Sequence, residues 1–205
     1  MKYDFELIRC KRSDPRYQEI RNRHYIPNHG TFGQQMHYLI ALNVAGGGEK
    51  EIIGIISGAS AVYAVKSRDD YFGLNSQNKK VALNCIVNNT VFRLEKHLPN
   101  LGTQVLRRWR QQVAKDWESR YGVAVHGFET FVIEDDHRKG AVYKADNWDF
   151  IGETAGSTKT HKGMGTKHER LNTERKLIFV KKVKGTKLCE EYHATWRGRQ
   201  KKIAR

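Results

Sequence analysis

Apolar and polar positions alternate through residues 3–10 (Tyr-Asp-Phe-Glu-Leu-Ile-Arg-Cys), which predicts a strand with one buried face. Ser13-Asp14-Pro15 then reads as a helix N-cap with proline in the first turn. The next helix runs for roughly ten residues. It ends near Arg23-His24-Tyr25, ahead of Pro27 and Gly30. Residues 35–44 and 52–58 read as two strands around the turn Ala45-Gly46-Gly47-Gly48-Glu49-Lys50, a hairpin. That turn is not a phosphate loop, because no helix comes after it and no Lys-Ser/Thr pair is present. Residues 59–65 fit either a short helix or a continued strand. Residues 68–80 are polar and read as a surface loop.

The stretch 86–156 organises the chain. A strand over 86–94 leads through His97-Leu98-Pro99-Asn100-Leu101-Gly102 into a helix over about 103–120. Val105, Leu106, Trp109, Val113 and Trp117 recur at helical spacing and mark its buried face, so both tryptophans read as core. Arg107, Arg108, Arg110 and Lys115 lie off that face, and Tyr121-Gly122 supplies the stop. A strand over 123–132 and the acidic turn Glu134-Asp135-Asp136 come next. Strand, turn, helix and strand make a βαβ unit. Its turn gathers unpaired amides and the positive end of a helix dipole, which suits an anion such as phosphate. Beyond Gly156 the chain reads as a loop (157–165), a strand (177–180) and a basic, partly disordered tail (181–205).

A length of 205 residues suits one α/β domain with a small appendage. No apolar run approaches the ~20 residues of a membrane span, so no membrane partner is expected. The start of the chain lacks the apolar core of a secretory signal, and Cys10, Cys85 and Cys189 form no disulfide or zinc pattern. A reducing cytoplasm is the expected location. Charge changes the picture more. The net charge is +15, and residues 159–205 carry 15 Lys/Arg against 4 Asp/Glu, leaving 22 against 18 for residues 1–158. Such a tail is an electrostatic footprint for a polyanion. Tyr192, His193 and Trp196 within it could stack on bases, which favours nucleic acid. The expected division is therefore a domain at 1–158 and a basic extension at 159–205.

Three places can carry chemistry. His24-Tyr25 offers an imidazole that is either structural or a base or metal ligand. Tyr143 offers a phenol that packs a helix on the sheet, donates a proton, or does both. Glu134, Asp135 and Asp136 offer carboxylates in a turn, and Glu129 offers another on the strand. No Gly-x-Ser-x-Gly elbow, Cys-x-x-Cys pair or His-x-x-x-His helix is present, which argues against serine hydrolases, zinc fingers and zinc proteases.

The turn Asn100-Leu101-Gly102-Thr103-Gln104 resembles that of the GNAT acetyltransferase superfamily. The segment Ala141-Val142-Tyr143-Lys144-Ala145-Asp146-Asn147-Trp148 looks like its small-x-Tyr-x-x-x-Gly-Phe segment, with Asn147 for the glycine and Trp148 for the phenylalanine. The resemblance implies a GNAT-like mixed, mostly antiparallel sheet flanked by helices. It also implies acetyl-CoA as cofactor, held by residues 100–104 and Asn147, and Tyr143 as proton donor to the departing thiolate. More closely, Arg23-His24-Tyr25 and the run from Gly140 through Trp148 to Gly152-Glu153-Thr154 resemble the phage Mom-like DNA adenine-modification family. That implies modification of adenine N6 in double-stranded DNA to a methylcarbamoyl (acetamido) base, which protects phage DNA from restriction. It also implies a role for His24 and Tyr25 at the adenine or at iron(II), with Glu134 or Asp135 as the partner carboxylate. Glu129-Thr130-Phe131-Val132 and Tyr143 with Asn147-Trp148 also resemble a domain of Druantia-type phage-defence proteins. The rival functions are a DNA-binding defence module without catalysis and an acetyltransferase of a protein or small molecule.

Overall fold

The expected strands assemble into one twisted sheet in a computed structural model that describes residues 2–26, 33–43, 48–136, 138–154, 157–161, 170–172 and 175–185. The elements run β1 (Phe5–Cys10), α1 (Pro15–Asn22), β2 (Gln35–Leu42), β3 (Glu51–Ser60), α2 (Lys66–Phe72) and α3 (Lys79–Ala82). Then come β4 (Ile86–Leu94), α4 (Leu101–Tyr121), β5 (Gly127–Ile133), α5 (Ala141–Ala145), β6 (Asp149–Glu153), β7 (Ser157–His161), β8 (Arg170–Asn172) and β9 (Lys176–Lys182). The main sheet has seven strands in the order β1-β2-β3-β4-β5-β9-β6, and β7 pairs with β8 apart from it. All neighbours in the main sheet are antiparallel except β4 and β5. This is the mixed, mostly antiparallel sheet flanked by helices that the sequence led us to expect.

Strand alternation distributes the helices over the two faces. Tyr38, Ile40, Ile56, Val87 and Phe179 point into a core with Val105, Leu106, Trp109, Val113 and Trp117 of α4. Their chain neighbours Leu39 and Ile55 point the other way, onto Tyr17 and Ile20 of α1. Ile86, Ile178 and Val180 face that second side too, against Val65, Phe72 and Ala82 around α2 and α3. Trp109 and Trp117 are fully buried, as their spacing demanded. Truncating either to Ala removes an indole that nothing else can replace, at a cost of about 3–5 kcal/mol. Asp14 caps α1 by accepting from the Arg16 amide, with Pro15 in the first turn. Gly122 ends α4 at φ 64°, where a side chain would be strained.

Several expectations need correction. Residues 68–80 are not a polar loop: they hold most of α2 and the start of α3, and Arg68, Phe72 and Leu74 are buried. Charge hid this segment, because Arg68 is buried as an ion pair. Strand β5 starts at Gly127, so residues 123–126 precede it, and α4 starts two residues earlier than expected. Residues 157–161 are strand, not loop. The boundary at 158/159 does not divide the fold, since β9 lies inside the main sheet between β5 and β6. Its Leu-Ile-Phe-Val run is buried on both faces, so the sheet is incomplete without it. Residues 186–205, with Tyr192, His193 and Trp196, lie outside the described residues. Among the described residues no helix is long and apolar enough to cross a membrane.

Candidate functional site

The site lies where the parallel pair comes apart. Pairing between β4 and β5 runs from Ile86↔Gly127 to Asn89↔Thr130 and stops there, while both strands continue. On the other side of β4 the register with β3 skips Thr90: Val91 pairs with Ser57 and Asn89 with Gly58. A bulge of this kind bends the strand and re-aims the residues beyond it. Bulge and fork therefore coincide at Asn89.

Tyr143 fills the fork from the α4 side. Helix α5 holds it against Trp148 and Phe179, with ring centroids 5.2 and 5.7 Å away. Its hydroxyl lies 2.8 Å from Asn89 Oδ1 and 3.4 Å from Thr130 Oγ1. The Asn89 amide can face only one way, because its Nδ2 donates to the carbonyls of Ser57 (2.9 Å) and Val91 (3.1 Å) on the two sides of the bulge. Oδ1 is therefore the acceptor, and the Tyr143 O–H is the donor. Thr130 Oγ1 donates to the Asn89 carbonyl, 2.9 Å away. Burial pushes the Tyr143 phenol well above its ordinary value, and nearby Tyr25 adds to that. It is a neutral phenol with its proton parked on Asn89.

His24 and Tyr25 reach the same fork from the α1 side. They come just after the end of α1 and stack at 4.6 Å. Arg93 of β4 donates to the Arg23 carbonyl and Arg21 to the Ile26 carbonyl, which fixes this segment. The Ile133 amide of β5 faces the Tyr25 hydroxyl, although burial dominates and raises its pKa. The Arg138 guanidinium lies 4.1 Å from the Tyr25 ring centre, a cation–π contact, and pairs with Asp135. Burial, aided by Arg21, lowers the His24 pKa to about 4, so the imidazole is neutral near pH 7.

Thus His24, Tyr25 and Tyr143 converge, and Asp135 joins them through Arg138. Glu134 does not join them: it is exposed and points to no partner among the described residues. Iron fits poorly here. His24 Nδ1 accepts from the Ile26 amide at 3.1 Å, and no group of three His, Cys, Asp or Glu side chains among the described residues could hold a metal ion. Glu129 is also accounted for: fully buried, it binds the Arg68 guanidinium and, at 2.8 Å, the Val62 amide. Tyr38 is fully buried in the α4 core with its hydroxyl donating to Asp116.

The turn before α4 comes beside the fork through α5. Asn100 sits at φ 60° with no side-chain cap. The Thr103 hydroxyl donates to the Asn100 carbonyl, Leu101 is buried, and Gln104 Oε1 accepts from the Tyr3 amide. A Cβ on Gly102 would lie 2.8 Å from Val142 Cγ2, so the glycine lets α5 approach α4. Arg110 of α4 then clamps Asp146 through two bonds of 2.9 and 3.0 Å. Trp148 Nε1 donates to the same carboxylate, and Lys181 of β9 donates to the Asp146 and Asn147 carbonyls. Asn147 stands at φ 55°, the conformation that a glycine would take more easily.

Sequence reasoning did not single out Asn89 or Arg68, and it named Thr130 only within the Druantia-like segment. A signal was present for the first: Asn88-Asn89 interrupts the apolar run of β4, and a polar pair inside a buried strand needs partners.

No curated protein matches the chain. Among solved structures it is similar to RimL, a ribosomal L7/L12 alpha-N-protein acetyltransferase, at 12% identity and TM-score 0.43, over 73% of this chain and 70% of that one. It is similar to the ribosomal-protein-S5-alanine acetyltransferase of Vibrio fischeri at 11% identity and TM-score 0.44, over 74% and 63%. It is also similar to the aminoglycoside acetyltransferase AAC(6')-Ib with coenzyme A at 13% identity and TM-score 0.43, over 80% and 70%. Likenesses this distant add nothing to the strand order itself. The family match is of another kind: residues 4–200 match the Druantia protein DruA family. Of the two phage-related resemblances in the sequence, the Druantia one is thus the one that is matched. With the match running from the first strand to residue 200, the chain belongs to the Druantia protein DruA family.

Proposed function

We propose that this protein is an acyl-CoA-dependent transferase that modifies adenine N6 in double-stranded DNA. The observation that carries this reading is the buried phenol of Tyr143, held protonated at the fork of two parallel strands beside the start of α4. In the reaction the exocyclic amine attacks the thioester carbonyl. A C–N bond forms and the C–S bond breaks; the amine's proton passes to solvent, the thiolate takes the Tyr143 proton, and solvent reprotonates the phenolate. The amides at Gly102 and Thr103 would take the CoA pyrophosphate. Neutral His24 lies on the opposite side of the fork, where the amine would enter. This step gives an N6-acetyl base; the methylcarbamoyl base of the Mom-like resemblance carries one more nitrogen and is bonded through a methylene, so it is not the product of this step. The role against restriction comes from that resemblance, and the DNA substrate from it and the +15 charge. Paired adenine hides this amine, so the base must leave the stack, at a cost of a few kcal/mol.

A second reading has one observation in its favour: the Tyr143 hydroxyl is buried and already bonded. It makes the protein a DNA-binding defence module without catalysis. Calorimetry with acetyl-CoA separates the two. Thr103→Glu puts a carboxylate in the first turn of α4, where the dipole favours it, so the fold is kept while a phosphate is repelled. The transferase reading expects binding by the wild type and an affinity at least roughly tenfold weaker in the variant. Absence of binding by the wild type favours the second reading.

A further inference from the structure

Only three large apolar side chains are exposed among the described residues: Val62 (44%), Tyr63 (65%) and Phe150 (50%). Two of them adjoin, in the segment between β3 and α2, and the support beneath them is unusual. Glu129 accepts from the Val62 amide through Oε1, and Arg68 donates to the Val62 carbonyl through Nη2. Arg68 and Glu129 also pair with each other, and both are fully buried. Burying two opposite charges is a costly way to fix a surface segment, and both polar groups of Val62 are fixed by it. The adjoining Tyr63 is left in solvent between Val62 and the small Ala64.

We propose that Tyr63 is a stacking platform for an unpaired nucleobase next to the fork. The proposal rests on the reading of a DNA substrate and specifies where the displaced base goes. Position supports it: Glu129 immediately precedes Thr130, the fork residue that faces Tyr143. The Glu129 side chain points to the other face of the sheet, the one from which His24 and Tyr25 reach the fork, so the segment is anchored on that side of the candidate site. Orientation supports it too. Lys79 Nζ sits 4.5 Å from the Tyr63 ring centre and is itself held by Asp69 at 2.6 Å, so one side of the ring is backed by a fixed cation. Charge complementarity points to a polyanion. Residues 61–80 carry Lys66, Arg68, Lys79 and Lys80 against Asp69 and Asp70. With Arg68 and Asp69 buried, Lys66 and Lys80 are exposed beside Asp70 as the single exposed acid of that stretch. An aromatic face with flanking lysines suits one base and its phosphates.

The test is fluorescence anisotropy of a labelled, mixed-sequence single-stranded DNA oligonucleotide with the full chain, titrated across salt. Tyr63 is exposed, so its substitution leaves the core intact. Tyr63→Ala should weaken binding roughly tenfold, the loss of one base–aromatic stack, with the salt slope unchanged. Tyr63→Trp should retain or exceed the wild-type affinity. Lys66→Ala with Lys80→Ala should instead make the salt slope shallower. Equal affinity of wild type and Tyr63→Ala overturns the proposal while leaving the DNA reading intact. If the wild type binds no single-stranded oligonucleotide, the proposal falls; if it also binds no duplex, the DNA reading falls with it. A Tyr63-dependent self-association in sedimentation, with unaltered oligonucleotide binding, would assign the patch to a second copy of the chain and also overturn it.

Discussion

Single residues at the fork have effects that can be separated. Tyr143→Phe keeps the ring on Trp148 and Phe179 but leaves Asn89 Oδ1 buried without a donor. It should cost about 1–3 kcal/mol of stability, measured by urea unfolding, and abolish base modification if Tyr143 supplies the proton. Full activity in the variant would reduce Tyr143 to packing. The buried imidazoles give a pH signature. His24 and His37 both have pKa values lowered to about 4, chiefly by burial. The unfolded chain takes these protons near pH 6.5 and the folded chain only near 4. Their contribution is therefore intact above 6.5 and is lost as pH falls toward 4, by about 3 kcal/mol each. Glu129, pushed up to about 7 by burial, acts with the opposite sign between about 4.5 and 7. Two imidazoles outweigh one carboxyl, so the urea midpoint should drop from pH 7 to pH 5. A flat profile would show that the imidazoles are not held neutral. At this scale family resemblance singled out His24, Tyr25 and Tyr143, and the structure brings these three to one fork. For Asn89 the sequence held only the polar interruption of the β4 run; the partners that give the residue its role come from a bulge.

Among the elements, α4 and α5 meet through Gly102–Val142 at one end and Arg110–Asp146 further along. Asp146→Ala strands Arg110 and Trp148 Nε1, both partly or fully buried. It should cost about 3 kcal/mol and, by loosening α5, weaken acetyl-CoA binding as well. A variant that loses stability with undiminished cofactor affinity would uncouple α5 from the turn. Alternation made β1 legible and helical spacing made α4 legible, because each buries one clear face, whereas β2, β3 and the first half of β4 are buried on both faces and read as apolar runs. Helix α2 was not legible: Lys66-Ser67-Arg68-Asp69-Asp70 is polar throughout, and only the partners Glu129 and Lys79 make burial of Arg68 and Asp69 possible. Helix α5 spans five residues, too few for a periodic signal.

At the level of the whole molecule, charge and fold divide differently from the sequence boundary. A cut before residue 181 would remove Lys181 and Lys182 from β9 and Val183, whose amide donates to the His126 carbonyl. Removal of residues 186–205 is the cleaner change. It deletes Lys187, Arg197, Arg199, Lys201, Lys202 and Arg205 with Glu190 and Glu191. Each lost phosphate contact should flatten the slope of log affinity for duplex DNA against log salt by about 0.9. Acetyl-CoA affinity should not change, since the α4 turn belongs to another part of the chain. An unaltered slope would move the DNA surface to the domain, with Arg107 and Arg108 exposed on α4 as the first place to examine. The central claim, transfer to adenine, is tested most directly by mass spectrometry of nucleosides from plasmid DNA. The plasmid is recovered after expression in a host lacking other base modification. The account predicts a modified deoxyadenosine with the wild type and none with Tyr143→Phe. Unmodified deoxyadenosine with folded, acetyl-CoA-binding wild type would contradict it.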